Sequence, residues 1–187
     1  GPYDSFVVEC SSFRLNWIDA FRAEASVWLN LAPDHQNWHT SLAAYEAGKA
    51  RMWAHRREGD VAIGFAADPV VMRNLHAAGG ITRTFGADGA DYRVEGGHLV
   101  GPAGAIAPVS AMTRSLPHDV TNALAAAALV LESGLATAAD VAAALATFRH
   151  PPHRIEPAGE YGGVRWFNDS KATTPHAALT AIRGFER

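Results

Sequence analysis

The sequence predicts an α/β fold: a mostly parallel sheet with flanking helices and a small antiparallel meander. Two patterns carry that prediction. Short apolar, β-branched runs alternate with longer stretches whose apolar residues recur at helical spacing. Proline- and glycine-rich breaks separate the two kinds of segment. The composition agrees, because 48% hydrophobic and 19% charged residues in a chain of 187 are globular proportions.

Each element has its own signal. Phe6 to Cys10 is β-branched and apolar and reads as a buried strand. Val27 to Leu31 reads as a second strand, broken by Ala32-Pro33-Asp34. Ser41 to Arg56 carries small and apolar residues at helical spacing, with Lys49 near its middle. Val61 to Phe65 is short and apolar, a third strand. Asp68 and Pro69 are suited to the N-cap and first position of a helix reaching about Ala77. From Thr82 to Ile106, glycine-rich turns separate short alternating runs, which predicts a surface meander. Pro117 to Gly134 predicts a long alanine-rich helix, and Thr137 caps another that reaches about Phe148. Pro151-Pro152 is the strongest break and sets a boundary between residues 1–150 and 151–187. Beyond it, Arg154 to Glu156 and Val164 to Phe167 look like strands, and a helix starts at Pro175.

Composition also excludes functions. Sixteen Lys and Arg against 19 Asp and Glu give a formal charge of −3, which argues against nonspecific nucleic-acid binding, since that needs a basic face. The single cysteine, Cys10, rules out an internal disulfide and a cysteine-rich zinc cage, and a reducing cytoplasm is the simplest setting. No apolar run reaches the roughly 18 residues of a membrane span. Both ends look cut, so a piece of a longer protein is expected.

Five polar clusters could carry chemistry. Glu9-Cys10-Ser11-Ser12 follows a predicted strand, where an acid can hold Mg²⁺ or the cluster can simply cap a helix. His35 and His39 stand one helical turn apart, which suits zinc, but Gln36 sits where a zinc peptidase would carry Glu. The alternative there is a polar turn. Lys49, from composition alone, is a solvated helix lysine. Asn168 to Thr174 packs an acid, a cation and three hydroxyls between a strand and a helix, a loop able to grip ribose, phosphate or carboxylate. His118-Asp119-Val120-Thr121-Asn122 opens the long helix, and Asn122 can read an adenine edge with a donor and an acceptor side by side. There is no Gly-x-x-x-x-Gly-Lys-Ser/Thr phosphate loop and no nucleophile elbow.

Taken in order, Val8 to Phe13, Leu29 to His35, Tyr45 to Arg51, His118 to Ala126, Pro152 to Glu156 and Asn168 to Thr173 resemble the Mur ligases. These are the ATP-dependent amino-acid ligases of peptidoglycan synthesis. The likeness is greatest to the branch that adds D-glutamate to UDP-N-acetylmuramoyl-L-alanine, and Asp169-Ser170-Lys171-Ala172-Thr173 is its most specific part. The resemblance implies the later part of a central ATPase domain over 1–150, without its phosphate loop. It implies the start of a Rossmann-like C-terminal domain over 151–187.

It also implies roles. Glu9 would be a Mg²⁺ ligand, His35 would lie by a second Mg²⁺ and the reacting carboxylate, and Ser11 would contact the UDP-sugar substrate. Lys49 would be carbamylated by CO₂. Asn122, Arg154, Asp169 and Lys171 would contact ATP, and Thr173 the D-glutamate carboxylate. The implied reaction runs through an acyl phosphate, in a monomeric cytoplasmic parent. A sister ligase with another acceptor amino acid, or a non-catalytic binding piece, are the alternatives. Asp119 stands where Asn is expected, Arg14 where Gln is, and Asn37 where Asp is; Gly64 to Asp68 only loosely fits an Asn-x-Asp-Asp run.

Overall fold

The computed structural model describes residues 2–185. Its centre is a parallel sheet of β1 (Ala25–Trp28), β2 (Val61–Phe65) and β3 (Ile81–Phe85), ordered β1-β2-β3. Helix α1 (Ser12–Asn16) precedes β1, and α2 (Leu42–Ala50) with a following 3-10 turn leads to β2. Helix α3 (Pro69–Ala78) connects β2 to β3. Strands β4 (Arg93–Glu95), β5 (His98–Gly101) and β6 (Gly104–Pro108) form the antiparallel meander. Helices α4 (Pro117–Glu132) and α5 (Ala138–Thr147) follow, then a hairpin of β7 (Glu156–Tyr161) and β8 (Val164–Asn168), then α6 (Pro175–Arg183).

Strand β2 explains the layering. Val61 and Ile63 face a core shared with Ala123, Leu124 and Ala127 of α4. Ala62 faces a second core of Trp28, Trp53, Val71 and Leu75. Both faces are covered, which is why this strand is a continuous apolar run rather than an alternating one. The α3 face of β2 is built from small residues. A Cβ at Gly64 would stand 3.0 Å from both Val71 and Leu75, so the strand is shaved to let α3 close on it. On the other face the alanines of α4 permit a similarly close approach, because buried Ala carries no side-chain entropy cost and little bulk.

Two carboxylates fix the connections. Asp68 caps α3 as predicted, its Oδ1 accepting from the amides of Val70 and Val71 at 2.9 and 3.2 Å. Its Oδ2 accepts from the Leu31 amide at 2.7 Å, which ties the loop after β1 to the start of α3. Asp60, at 2% exposure, is forked by Arg22 at 2.7 and 2.5 Å and accepts from the Arg57 amide at 2.7 Å.

Four expectations need correction. Phe6 to Cys10 is not a strand; it makes no ladder bonds, and Phe6 and Val7 are 78% and 82% exposed. An extended apolar segment becomes a strand only when an edge pairs with it, and here it runs beside β1 across a cavity. Strand β1 begins at Ala25 and stops at Trp28, because Leu31 donates to Asp68 instead of to a neighbouring strand. Residues 81–85 are a parallel strand rather than the first turn of the meander. Their alternating polar residues belong to a sheet edge, where Arg83 pairs with Glu132 of α4 at 2.8 Å. The last two strands form an antiparallel hairpin that starts at Glu156, closed by Gly162 and Gly163 at φ 59° and 77°, the left-handed pair a tight type I′ turn requires.

Asp68→Ala removes a helix cap and strands the Leu31 amide, and it is expected to lower stability by about 2 kcal/mol in urea titration. Asp60 gives a pH prediction. The Arg22 guanidinium, against the opposing effect of burial and helped by the Arg57 amide, holds its carboxyl below the usual range. The folded value is the lower one. Asp60 therefore stabilises the fold fully above its unfolded value of roughly 3.9, and that contribution is lost as pH falls through the folded value. Asp60→Asn is expected to flatten the acid limb of a stability–pH curve and to leave a less stable protein at pH 7.

Candidate functional site

Two clefts meet at Leu29 and Asn30, just past the end of β1. The first, about 800 Å³, lies across the carboxyl ends of all three parallel strands. This is where open α/β sheets hold ligands, since the loops leaving the strands diverge there. Phe65 and Phe85, stacked at 5.3 Å, form its floor. Gly86, at φ 83°, lets them pack, since a Cβ there would fall 2.6 Å from the Phe65 ring. One wall is the first two turns of α4, with His118, Asp119 and Asn122; the other is the stretch around Arg154, Ile155 and Asp169.

Three residues predicted to contact nucleotide, Asn122, Arg154 and Asp169, are thus brought together although 47 positions separate the first from the last. Lys171 and Thr173 are on the same loop but are exposed and outside the cleft lining. That loop is braced from behind, the Lys171 amide donating to the His153 carbonyl at 3.1 Å and the Thr173 amide to the Lys171 carbonyl at 3.0 Å. His118 Nδ1 is buried in the first cleft's wall and has no hydrogen-bond partner among the described residues.

The second cavity, about 1000 Å³, holds Glu9 and Lys49 with the residues of β1. Lys49 lies one turn after Tyr45 on α2, its ammonium 5.3 Å from that ring's centroid. Burial depresses its pKa below that of an ordinary lysine, and the charge of Asp34 only partly opposes this. His35 is outside this lining. It sits in a turn at φ 54°, 3.5 Å from Asp34, packed edge-on to Phe13 and to Tyr45 at 4.8 and 5.8 Å. Tyr45 and Asp34 are therefore shared neighbours of His35 and Lys49, whereas Glu9 shares only the cavity with Lys49. Ser11 caps α1, its Oγ accepting from the Arg14 amide at 3.3 Å, which leaves its O–H free to donate. The capping alternative is realised there without excluding a ligand contact.

His39 does not join His35 in a metal pair. It is 5% exposed, stacks on Phe13 and lies 2.9 Å from Ser12 Oγ. Among the described residues, no group of three or more His, Cys, Asp or Glu converges as a metal cage. Sequence reasoning missed Arg114, which forks Asp119 at 2.7 and 2.8 Å. Burial pushes the Asp119 carboxyl up, and the Arg114 guanidinium outweighs this to hold it below its ordinary range. The available signal was the unexpected aspartate itself, with an arginine five positions before it.

A parallel sheet covered on both faces, with clefts at its strand ends, defines a ligand-handling α/β domain, and comparison with known proteins makes the class specific. Residues 2–130 match the Mur ligase middle domain, and the chain belongs to the Mur ligase family. It is 43% identical to a UDP-N-acetylmuramoylalanine--D-glutamate ligase of Frankia casuarinae, over 98% of this chain and 40% of that protein. It is 37% identical to the enzyme of the same name from Mycobacterium leprae, over 100% of this chain and 39% of that protein. The chain spans about 40% of the length of these curated relatives. Among solved structures, MurF from Acinetobacter baumannii shares the fold at a TM-score of 0.72 and 19% identity, over 87% of this chain and 37% of that one. E. coli FolC shares it at 0.61 and 20%, over 88% of this chain and 39% of that one.

His39→Ala is expected to cost about 2–4 kcal/mol in denaturant unfolding, since it opens a cavity and leaves the buried Ser12 hydroxyl unpaired. Zinc added to either form is expected to leave its melting temperature unchanged.

Proposed function

We propose that this chain is part of an ATP-dependent ligase that joins D-glutamate to UDP-N-acetylmuramoyl-L-alanine in peptidoglycan precursor synthesis. The observation that carries this reading is the 43% identity across nearly the whole chain to a relative of that name. In this reading the alanyl carboxylate oxygen attacks the γ-phosphorus of ATP, ADP leaves, and an acyl phosphate forms. The amine of D-glutamate then attacks the acyl carbon, loses a proton, and phosphate departs.

The first cleft suits the nucleotide. Asn122 has the donor–acceptor pair for an adenine edge, and Asp169 can accept from ribose hydroxyls. Arg154 provides an exposed cation beside Asp169. Lys171 and Thr173, exposed on the loop that follows, are offered to the phosphates and to the D-glutamate carboxylate.

The second cavity suits a carbamate and a magnesium ion. Burial lowers the pKa of Lys49 and so eases loss of the ammonium proton; the neutral amine attacks CO₂, a second proton leaves, and the cation becomes an anion. Glu9 and carbamylated Lys49 are then two anionic oxygen donors lining one cavity, the sparse set Mg²⁺ accepts when water and phosphate complete its shell. An ion held there by these residues would supply charge neutralisation between phosphates and carboxylate. His35, next to Asp34 and Tyr45, can hold a proton or a ligand at the edge of this site, and Ser11 can donate to the UDP-linked substrate.

The test is phosphate release by the complete gene product given Mg-ATP, UDP-N-acetylmuramoyl-L-alanine and one amino acid at a time. Release that requires D-glutamate is expected. Release with another amino acid moves the chain to a sister ligase, and none at all favours a binding-only role. In the active protein, Lys49→Ala is expected to lower kcat by about 10²-fold or more, and short-chain carboxylic acids added in solution to restore part of it. Full activity in Lys49→Ala would remove the carbamate from the mechanism.

A further inference from the structure

The residues assigned to nucleotide lie on two separate stretches of chain, and a single guanidinium joins them. Arg114 Nε and Nη2 donate to the Asp119 carboxylate at 2.7 and 2.8 Å. The third nitrogen, Nη1, donates to the carbonyls of Arg154 and Ile155 at 3.0 and 3.1 Å. The Ile155 amide in turn donates to Asp169 Oδ1 at 3.1 Å. Asp119 lies one turn before Asn122 on α4, so a continuous path runs from the adenine side of the cleft to the ribose side.

Two features show that this path is built rather than incidental. Asp119 is 6% exposed and also accepts from the Leu116 amide at 3.1 Å, so its carboxylate is fixed to the start of α4. Ile155 is 5% exposed and has φ 50°, a left-handed backbone that a β-branched residue rarely adopts. Such a conformation costs about 1–3 kcal/mol and persists only where its surroundings over-determine it. Here the surroundings are Arg114 on its carbonyl and Asp169 on its amide.

We propose that Arg114 is a positioning residue, which sets the width of the nucleotide cleft by locking Asp119 on α4 to the Ile155–Asp169 segment. The inference rests on the nucleotide reading of that cleft. Arginine suits the role because its planar fork serves a carboxylate on one edge and carbonyls on the other, which a lysine's single nitrogen cannot do. Asp119 is the matching half. An asparagine in its place would turn an NH₂ group or a single neutral oxygen toward the guanidinium. The unexpected aspartate and the arginine therefore act as one device.

The test uses the complete gene product and calorimetric titration with Mg-ADP. Arg114→Ala alone strands a buried carboxylate and lowers stability for that reason, so the deciding variant is the double substitution Arg114→Ala/Asp119→Asn. Read at a temperature where circular dichroism shows it folded, it is expected to bind Mg-ADP about tenfold or more weaker than wild type. Affinity within about twofold of wild type in the folded double variant overturns the inference and leaves a merely structural ion pair. If the double variant does not fold, Arg114→Lys, which keeps a charge opposite Asp119 but cannot span both carbonyls, is read by the same two limits. Wild type that fails to bind Mg-ADP overturns the nucleotide reading itself, and this inference with it, an outcome distinct from the other two.

Discussion

Burial of β2 on both faces is the constraint from which the rest of this structure follows. The strand satisfies its backbone through two parallel neighbours, and a crossover that makes such pairing parallel carries a helix that covers the sheet. Parallel pairing also sends all three strand ends the same way. Leu29, Phe65 and Phe85 therefore finish at one edge, and the cleft between the loops that leave them is a consequence of topology rather than of any single residue.

Three buried or half-buried aspartates then turn a sheet with loops into a defined site. Each binds two segments that the backbone alone would leave independent. Asp60 holds the chain before β1 to the turn before β2, through Arg22 and the Arg57 amide. Asp68 holds the end of β1 to the start of α3. Asp119 holds α4, through Arg114, to the segment leading into the hairpin. In each case the anion is matched by a guanidinium or by backbone amides, which is what makes a buried carboxylate tolerable. Lys49 is the counter-example. It has no such hydrogen-bonded partner among the described residues, and burial lowers its pKa instead.

Much of this was legible in the order of residues. The run Val61 to Phe65, the Asp68-Pro69 start and the Thr137 cap depend on local pattern and capping chemistry and stand where pattern put them, and the helix predicted from Pro117 to Gly134 runs to Glu132. The clustering of Asn122, Arg154 and Asp169 followed from family resemblance. Failures came where a partner decides the outcome. Phe6 to Cys10 has strand composition without a paired edge, and residues 81–85 have a meander's alternation although they pair in parallel. His35 and His39 share a spacing and the same aromatic neighbours, Phe13 and Tyr45, but only His39 is buried, against Ser12.

The sequence by itself determined the α/β class, most of the helix starts and the family, and it supplied the candidate site residues. Those properties are local, since they rest on periodicity, capping side chains and short motifs. The tertiary structure alone decided which edges pair, which histidine is buried, and that Arg114 reaches across 40 positions to the Arg154 carbonyl. No local rule encodes these outcomes, because each depends on two distant segments being brought to hydrogen-bonding distance by packing neither of them contains.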